Sequence, residues 1–277
     1  MRILLTGATG FVGRNFRKLA ESQFENVLCI GKSGTKSTNS MIAIDDVNFE
    51  QKVGVFNPEI VVDLATFFDL SPIREVGSKL LMGTFEFHIT LANKLENFNI
   101  PWIYTSSYWQ NLKNSDGTYI SDYHFLKKVI SEYLSCKRNI RFLEVTLMDT
   151  YGPGDARGKI VERLMYLDTD SAPLQMSEGN QYLNVLHIDE VSRSLLFLMR
   201  ESVRNHSLQG NFNLISNQYI TLRGLVSEIE EVRGEHLPII WGARPYRVGE
   251  IMEIPKFQRS LLFGPEQCNL KQGLLTL

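Results

Sequence analysis

Cysteine is scarce in this chain. Cys29, Cys136 and Cys268 stand far apart and in no CxxC pair. So sparse and odd a set predicts free thiols in a reducing compartment, not a disulfide framework. An excess of one charge is missing too. The net charge is −2 over 277 residues, with both signs scattered. That excludes the electrostatic footprint of a nucleic-acid or anionic-membrane binder. No apolar stretch approaches a membrane span in length. His88 and His187 show no ligand spacing with each other or with a cysteine, so no metal centre is expected. The apolar pattern starts at Arg2, so no signal peptide is expected and a cytoplasmic location is. No internal repeat is present, and the one strongly polar loop is Lys32–Ser40.

What is present is enough apolar residue, 43%, for a sizeable core. Over the first 150 or so residues, short apolar runs alternate with amphipathic ones, the pattern of a parallel sheet wrapped by helices. Strands are expected at Ile3–Thr6, Val27–Ile30, Met41–Ile44, Ile60–Ala65, Trp102–Ser106 and Ile140–Leu147. Helices are expected at 11–22, 48–55, about 73–98, 122–137 and 158–167. After Tyr151-Gly152-Pro153-Gly154 the rhythm loosens. Short runs (Leu174–Met176, Tyr182–His187, Asn211–Ile215) then interleave with helices near 189–201 and 221–233. The expected fold is α/β, a Rossmann-like doubly wound parallel sheet over residues 1–150, with a smaller C-terminal lobe over 151–277.

Directly after Ile3-Leu4-Leu5 comes Thr6-Gly7-Ala8-Thr9-Gly10-Phe11-Val12-Gly13. A glycine-rich turn between a buried strand and a helix suits a dinucleotide. The first glycine lets the chain turn, the second lets a diphosphate approach the backbone, and the third lets helix pack on strand. The helix that follows aims its N–H groups and positive dipole end at the phosphates. Its inward residues Phe16, Leu19 and Ala20 and outward Arg14, Arg17 and Lys18 support the assignment.

Tyr123 and Lys127 lie four residues apart in an amphipathic segment with Ser121 as its expected N-cap, so phenol and ammonium share one helix face. Sixteen residues before Tyr123, Ser107 closes the pair Ser106-Ser107 that follows the strand Trp102–Thr105. Strand ends beside helix N-termini are where open α/β sheets build their sites. Hydroxyl, phenol and ammonium together suit hydride transfer at a carbonyl. Negative charge grows on the carbonyl oxygen, a tyrosine donates the proton, and a neighbouring ammonium brings its pKa nearer neutrality. Ser107 would hold the oxygen by hydrogen bond. His124, next to Tyr123, is expected to be packed or solvated.

TGATGFVG, the serine pair after a strand, YHFLK and YGPG together resemble the extended short-chain dehydrogenase/reductases that act on nucleotide sugars. The resemblance runs from residue 1 to about 240. The wording of Ser107-Tyr108-Trp109-Gln110 and of Asp149 to Arg157 is similar to the branch of CDP-abequose and CDP-paratose synthases. That branch reduces the 4-ketone of a CDP-linked 3,6-dideoxyhexose. The resemblance therefore implies an NADPH-dependent 4-ketoreductase acting in surface-polysaccharide (O-antigen) deoxysugar synthesis. The chain also departs from the family. Tyr108 and Trp109 stand where the dehydratases carry Asp-Glu, which removes the dehydration step, and no cysteine suits 3,5-epimerisation. Leu183-Asn184 replaces a common Arg-Asp pair. Asp149 replaces an asparagine near the sugar diphosphate, where an acid would bond a sugar hydroxyl or hold the loop.

The second strand ends Ile30-Gly31-Lys32-Ser33, without the carboxylate that an NAD ribose wants. Lys32, Ser33 and Arg14 suit a 2′-phosphate instead, so the expected cofactor is NADP(H). By resemblance Asp45 would meet the adenine region, and Leu64, Ala65 and Thr66 would line the cofactor, with Tyr123 and Lys127 reaching its nicotinamide ribose. Arg157, Lys159 and Arg247 are candidate cations for the substrate diphosphate, and Trp109 a candidate wall for the sugar. Expected partners are a nucleotide sugar and, as a homodimer, a second copy of the chain. Two rival readings stay open: a 4-epimerase with tightly held NAD, and a non-catalytic NADP-sensing protein.

Overall fold

A computed structural model describes residues 1–23, 25–66, 78–113, 117–119, 121–247, 250–254 and 256–277. The chain divides into two compact units. The first is Met1–Leu147 with Ser192–Asn213; the second is Met148–Val191 with Leu214–Leu277. The chain thus crosses between units more than once, where the sequence suggested a single break near residue 150. A long amphipathic helix (α6, Ile188–Arg204) carries it back to the first unit, and β11 (Gly210–Leu214) then joins the large sheet.

The first unit is built on β1 (Arg2–Thr6), β2 (Asn26–Gly31), β3 (Met41–Ala43), β4 (Ile60–Asp63), β5 (Pro101–Ser107), β6 (Arg141–Leu147) and β11. Their order in the sheet is β11-β6-β5-β4-β1-β2-β3. All pairings from β3 through β6 are parallel. β4 and β5 are buried along their whole lengths, as near-continuous apolar runs with helices on both faces must be. The order reverses between β1 and β4, the switch point at which such sheets bind ligands.

Around the sheet lie α1 (Phe11–Ser22), α2 (Phe49–Phe56), α3 (Ser78–Lys94) and α4 (Asp122–Ser135). The expected helix at 73–98 is α3 followed by a 3₁₀ turn over Glu96–Phe98, closed by Asn99 at φ 49°. Its first expected residues, 73–77, lie outside the described ones. Asparagine accepts the left-handed region more readily than most residues, which is why the Asn-Phe-Asn stretch ends the run. One core of this unit packs Leu4, Leu28, Ile30, Val61, Trp102 and Tyr104 against Leu91, Leu95, Ile130 and Leu134.

The second unit contains β7 (Asp149–Tyr151), α5 (Ile160–Met165), β8 (Leu174–Gln175), β9 (Tyr182–Leu183), β10 (Val185–His187), β12 (Ile220–Thr221), α7 (Leu222–Arg233), β13 (Ile239–Ile240) and α8 (Leu270–Leu274). Its strands form three two-stranded ladders: β7 with β10, β9 with β12, and β8 with β13. Helix α7 starts at a Thr221 cap that accepts from Gly224 N–H and ends at Gly234 with φ 72°. Leu225, Val226 and Ile229 on its inner face meet Val161, Leu164, Leu270 and Leu274. Asn184 is buried and clasps the loop after β11. Its amide donates to Ser216 and Gln218 carbonyls at 2.7 and 3.1 Å, and its oxygen accepts from Ser216 N–H at 2.9 Å.

Candidate active site

The glycine turn joins β1 to α1, with Gly7 at φ 65°. A Cβ on Gly7 would lie 2.5 Å from the Leu64 carbonyl carbon and 2.7 Å from Ala65 N. Here the first glycine both turns the chain and admits the backbone after β4. A Cβ on Gly13 would overlap the Gly7 carbonyl, so the third glycine seats α1 on the turn. Gly10 is the N-cap of α1, makes no side-chain cap bond, and meets Gly7 O at 3.3 Å on adding a Cβ. No acidic residue lies in the first turn of α1. A helix start with this chemistry fits a diphosphate. Thr9 and Arg14 are exposed beside it, Phe11 and Gly13 are buried, and Val12 is half-buried. The Arg14 guanidinium lies 5.5 Å over the Phe11 ring.

At the end of β2, Lys32 and Ser33 are exposed in a tight turn in which Thr35 N–H donates to the Lys32 carbonyl at 3.1 Å. The Asp45 carboxylate accepts from Gly34 N–H at 3.2 and 3.3 Å and so braces this loop. Asp46 ties the same loop through Ser37 and Lys52, and those hydrogen bonds hold its carboxyl down to about 2. After β4, Leu64 is buried, Ala65 is half-buried and Thr66 is exposed. The Thr6 hydroxyl accepts from both Leu64 N and Ala65 N, at 3.1 and 2.9 Å, while donating to Asp63 at 2.5 Å. One buried hydroxyl therefore locks the glycine turn to the segment expected to line the cofactor.

The Tyr/Lys helix is α4. Its cap is Ser121, whose hydroxyl accepts from His124 N–H. His124 is buried and bonds the same hydroxyl through Nδ1 at 2.8 Å, so it is packed. Tyr123 is half-buried. A lysine on a solvated helix face would be exposed, yet Lys127 is 3% exposed. Its Nζ donates to the Thr105 carbonyl at 2.7 Å and sits 4.6 Å over the Tyr104 ring. Burial brings Lys127 down to about 8, against the opposing charges of Asp63 and Glu144. Two residues beyond Thr105, Ser107 ends β5 and caps the 3₁₀ turn Tyr108–Asn111. The same short stretch of β5 thus receives the ammonium and presents the serine. Trp109 is half-buried and meets the Tyr108 ring edge-on at 5.9 Å.

Of the substrate-side candidates, Asp149, Arg157, Lys159 and Arg247 belong to the second unit and Trp109 to the first. Arg157 is clamped by Asp155 through Nε and Nη2, at 2.6 and 2.7 Å, and also donates to the Thr150 carbonyl and hydroxyl. Lys159 pairs with Asp149 at 2.8 Å. Arg247 is exposed.

Sequence reasoning missed several buried polar residues around Lys127. Asp63 takes Thr6 and Trp102 Nε1 as donors and lies 3.3 Å from His88 Nε2. Although burial opposes it, the His88 and Thr6 contacts and the Lys127 charge leave the Asp63 carboxyl below its usual range. Tyr104 is pushed well above the usual phenol range, chiefly by burial. Gln110 bridges Ser107 N–H and Glu144. A polar residue inside an apolar strand run, as in Ile60-Val61-Val62-Asp63, was the one available signal.

A parallel sheet with a glycine turn at its switch point is a Rossmann-like fold. The chain superposes in full on the UDP-glucose 4-epimerase of Thermotoga maritima solved with UDP-glucose, with a TM-score of 0.76, 19% identity and 97% of that chain covered. It does so equally on the Thermus thermophilus UDP-glucose 4-epimerase solved with NAD, at TM-score 0.76 and 15% identity, again covering 97% of that chain. In sequence it is similar to the CDP-abequose synthase of Yersinia pseudotuberculosis, 22% identical over 262 residues, 91% of each protein. The Salmonella muenchen CDP-abequose synthase is 23% identical over 265 residues, 91% of this chain and 87% of that one. No protein-family model matches the chain. The resemblance carried by the motifs thus extends along nearly the whole sequence. No helix among the described residues is long and apolar enough to cross a membrane.

Proposed function

We propose that this chain is a nucleotide-sugar-modifying enzyme that reduces the C4 ketone of a CDP-linked 4-keto-6-deoxy or 3,6-dideoxy hexose with NADPH. The observation that carries this reading is the buried Lys127, four residues after Tyr123 and bonded into the strand that ends at Ser107. NADPH, when bound, supplies the hydride. Ser107 holds the ketone oxygen by hydrogen bond, and Tyr123 gives the proton that this oxygen needs as it gains charge. Lys127 stabilises the resulting phenolate and orients the nicotinamide ribose. Tyr108 and Trp109, beside Ser107, offer no carboxylate for dehydration. Exposed Lys32 and Ser33 support a 2′-phosphate site, with Arg14 near the turn. The CDP-linked substrate is supported by the two synthases to which the chain is similar.

A second reading, a 4-epimerase holding NAD through the catalytic cycle, is favoured by the fold neighbours, which are UDP-glucose 4-epimerases. One assay separates the two. Purified protein is incubated with NADPH and a panel of 4-keto-6-deoxy nucleotide sugars, absorbance is followed at 340 nm, and the product is identified by NMR. Stoichiometric NADPH consumption supports the reductase. Copurified NAD⁺ with interconversion of 4-hydroxy epimers in the absence of added cofactor replaces it with the epimerase.

A further inference from the structure

Thr6, Asp63, Tyr104 and Glu144 are direct register partners across β1, β4, β5 and β6. Register partners in a parallel sheet share a face, so these four side chains form one polar row. Helices α3 and α4 cover that row, since His88 from α3 and Lys127 from α4 both meet the Tyr104 ring. Burying two carboxylates in one row is costly unless each is compensated. Asp63 is compensated by Thr6, Trp102 and His88. Glu144 is bonded differently. Its Oε1 accepts from Gln110 Nε2 at 2.8 Å, and Gln110 Oε1 in turn accepts from Ser107 N–H at 3.3 Å. On the other side of Glu144 stands Tyr104, with the Lys127 ammonium over its ring.

We propose that Glu144 is a positioning residue serving both halves of the site: through Gln110 it fixes the turn that starts at Ser107, and across Tyr104 it adds a second counter-charge for Lys127 beside that of Asp63. The proposal deepens the reductase reading and rests on it for the roles of Ser107 and Lys127. Among the described residues, the charged and titratable groups around Lys127 are Asp63 from β4, Tyr104 from β5, Glu144 from β6, His88 from α3 by way of Asp63, and Tyr123 from its own helix. The 3₁₀ turn that packs on α4 carries a further phenol, Tyr108. Two carboxylates in this set act on Lys127, Asp63 more strongly and Glu144 after it, and of the two it is Glu144 that is also bonded, through Gln110, to the turn at Ser107. Tyr104, held protonated by burial, transmits no charge of its own.

Two variants separate the halves. Glu144→Gln keeps an acceptor for Gln110 and removes the charge; Glu144→Asp keeps the charge and shortens the reach to Gln110. The readout is the pH titration of the Lys127 13Cε resonance in the cofactor-free protein, which does not depend on turnover. Glu144→Gln should move that midpoint to lower pH by about one unit. Glu144→Asp should leave it near the wild-type position while lowering kcat for ketone reduction about tenfold at unchanged NADPH affinity. A midpoint that stays put in Glu144→Gln, or that moves as far in Glu144→Asp, overturns the counter-charge role. An unchanged kcat in Glu144→Asp overturns the link to Ser107. If Glu144→Gln does not fold, Glu144→Met, which also removes the charge, is titrated in its place, and an unmoved midpoint there overturns the counter-charge role. Should no 4-keto nucleotide sugar be turned over by the wild type, the reductase reading falls, and the titration still judges Glu144.

Discussion

In the first unit the Lys127 ammonium is buried against a carbonyl oxygen, whereas in the second unit Arg157 and Lys159 are tied to the carboxylates of Asp155 and Asp149. A cation bonded to a neutral carbonyl keeps most of its charge available to a neighbour. A guanidinium gripped through two nitrogens by one carboxylate has spent that charge on holding a loop. The cations of the two units therefore differ in their partners, a difference that net charge in the sequence cannot reveal. Burial alone does not do so either, since Asp155 is as buried as Lys127. The partner is what decides.

The sharpest way to test this contrast is to remove the proposed proton donor and the ammonium one turn after it. Tyr123→Phe should lower turnover by about 10²–10⁴-fold with NADPH affinity nearly unchanged, because a transferable proton alone is lost. Lys127→Met should lower both turnover and affinity, as fluorescence titration with NADPH would read. A Tyr123→Phe protein retaining more than a tenth of wild-type rate would dissolve the distinction.

Next in size is a pH effect on stability. Lys127 lies near 8 in the folded protein against 10.5 when unfolded. Between those values the unfolded chain binds the extra proton, so stability rises as pH climbs from 8 to 10.5. Below pH 8 the buried ammonium costs on the order of 3 kcal/mol relative to a neutral residue. Lys127→Met should therefore be more stable than wild type at pH 7 and should lose that advantage by pH 10. Urea midpoints at the two pH values check this, and equal differences at both would refute it.

In the second unit, Asp155→Asn should destabilise the protein by about 2 kcal/mol and leave NADPH affinity unaltered, since it unclamps a loop. If instead the KM for the nucleotide sugar changed while the denaturation midpoint did not, Arg157 would be a substrate ligand and the contrast between the units would fail. The smallest effect concerns the cofactor. NADPH should bind at least tenfold more tightly than NADH, and Lys32→Ala should reduce that preference by about tenfold, the value of one charge-assisted phosphate bond. Isothermal titration with both cofactors measures it, and equal affinities in the wild type would remove the 2′-phosphate site.

Much of the first unit could be read from residue order. The strands fall within a residue or two of their expected spans, the glycine turn lies at the switch point, and Ser121 caps α4 with Tyr123 and Lys127 one turn apart. These are local properties, set by apolar period, glycine conformation and capping chemistry over a few residues. The second unit was harder to read. Strands of two or three residues, such as β12 and β13, carry too little pattern to stand out from loop.

Residue order was thus enough for the parallel sheet, the glycine-rich turn and the pairing of phenol with ammonium on one helix face. Tertiary structure alone decided what surrounds them. That Asp63, Tyr104 and Glu144 form a row depends on the register of three strands whose members are about 40 residues apart in the chain. That Lys127 is buried depends on α4 lying over that row. That Arg157 is clamped depends on a turn folding Asp155 back onto it. Strand register and helix docking are settled by the packing of the whole core, so no window of sequence contains them.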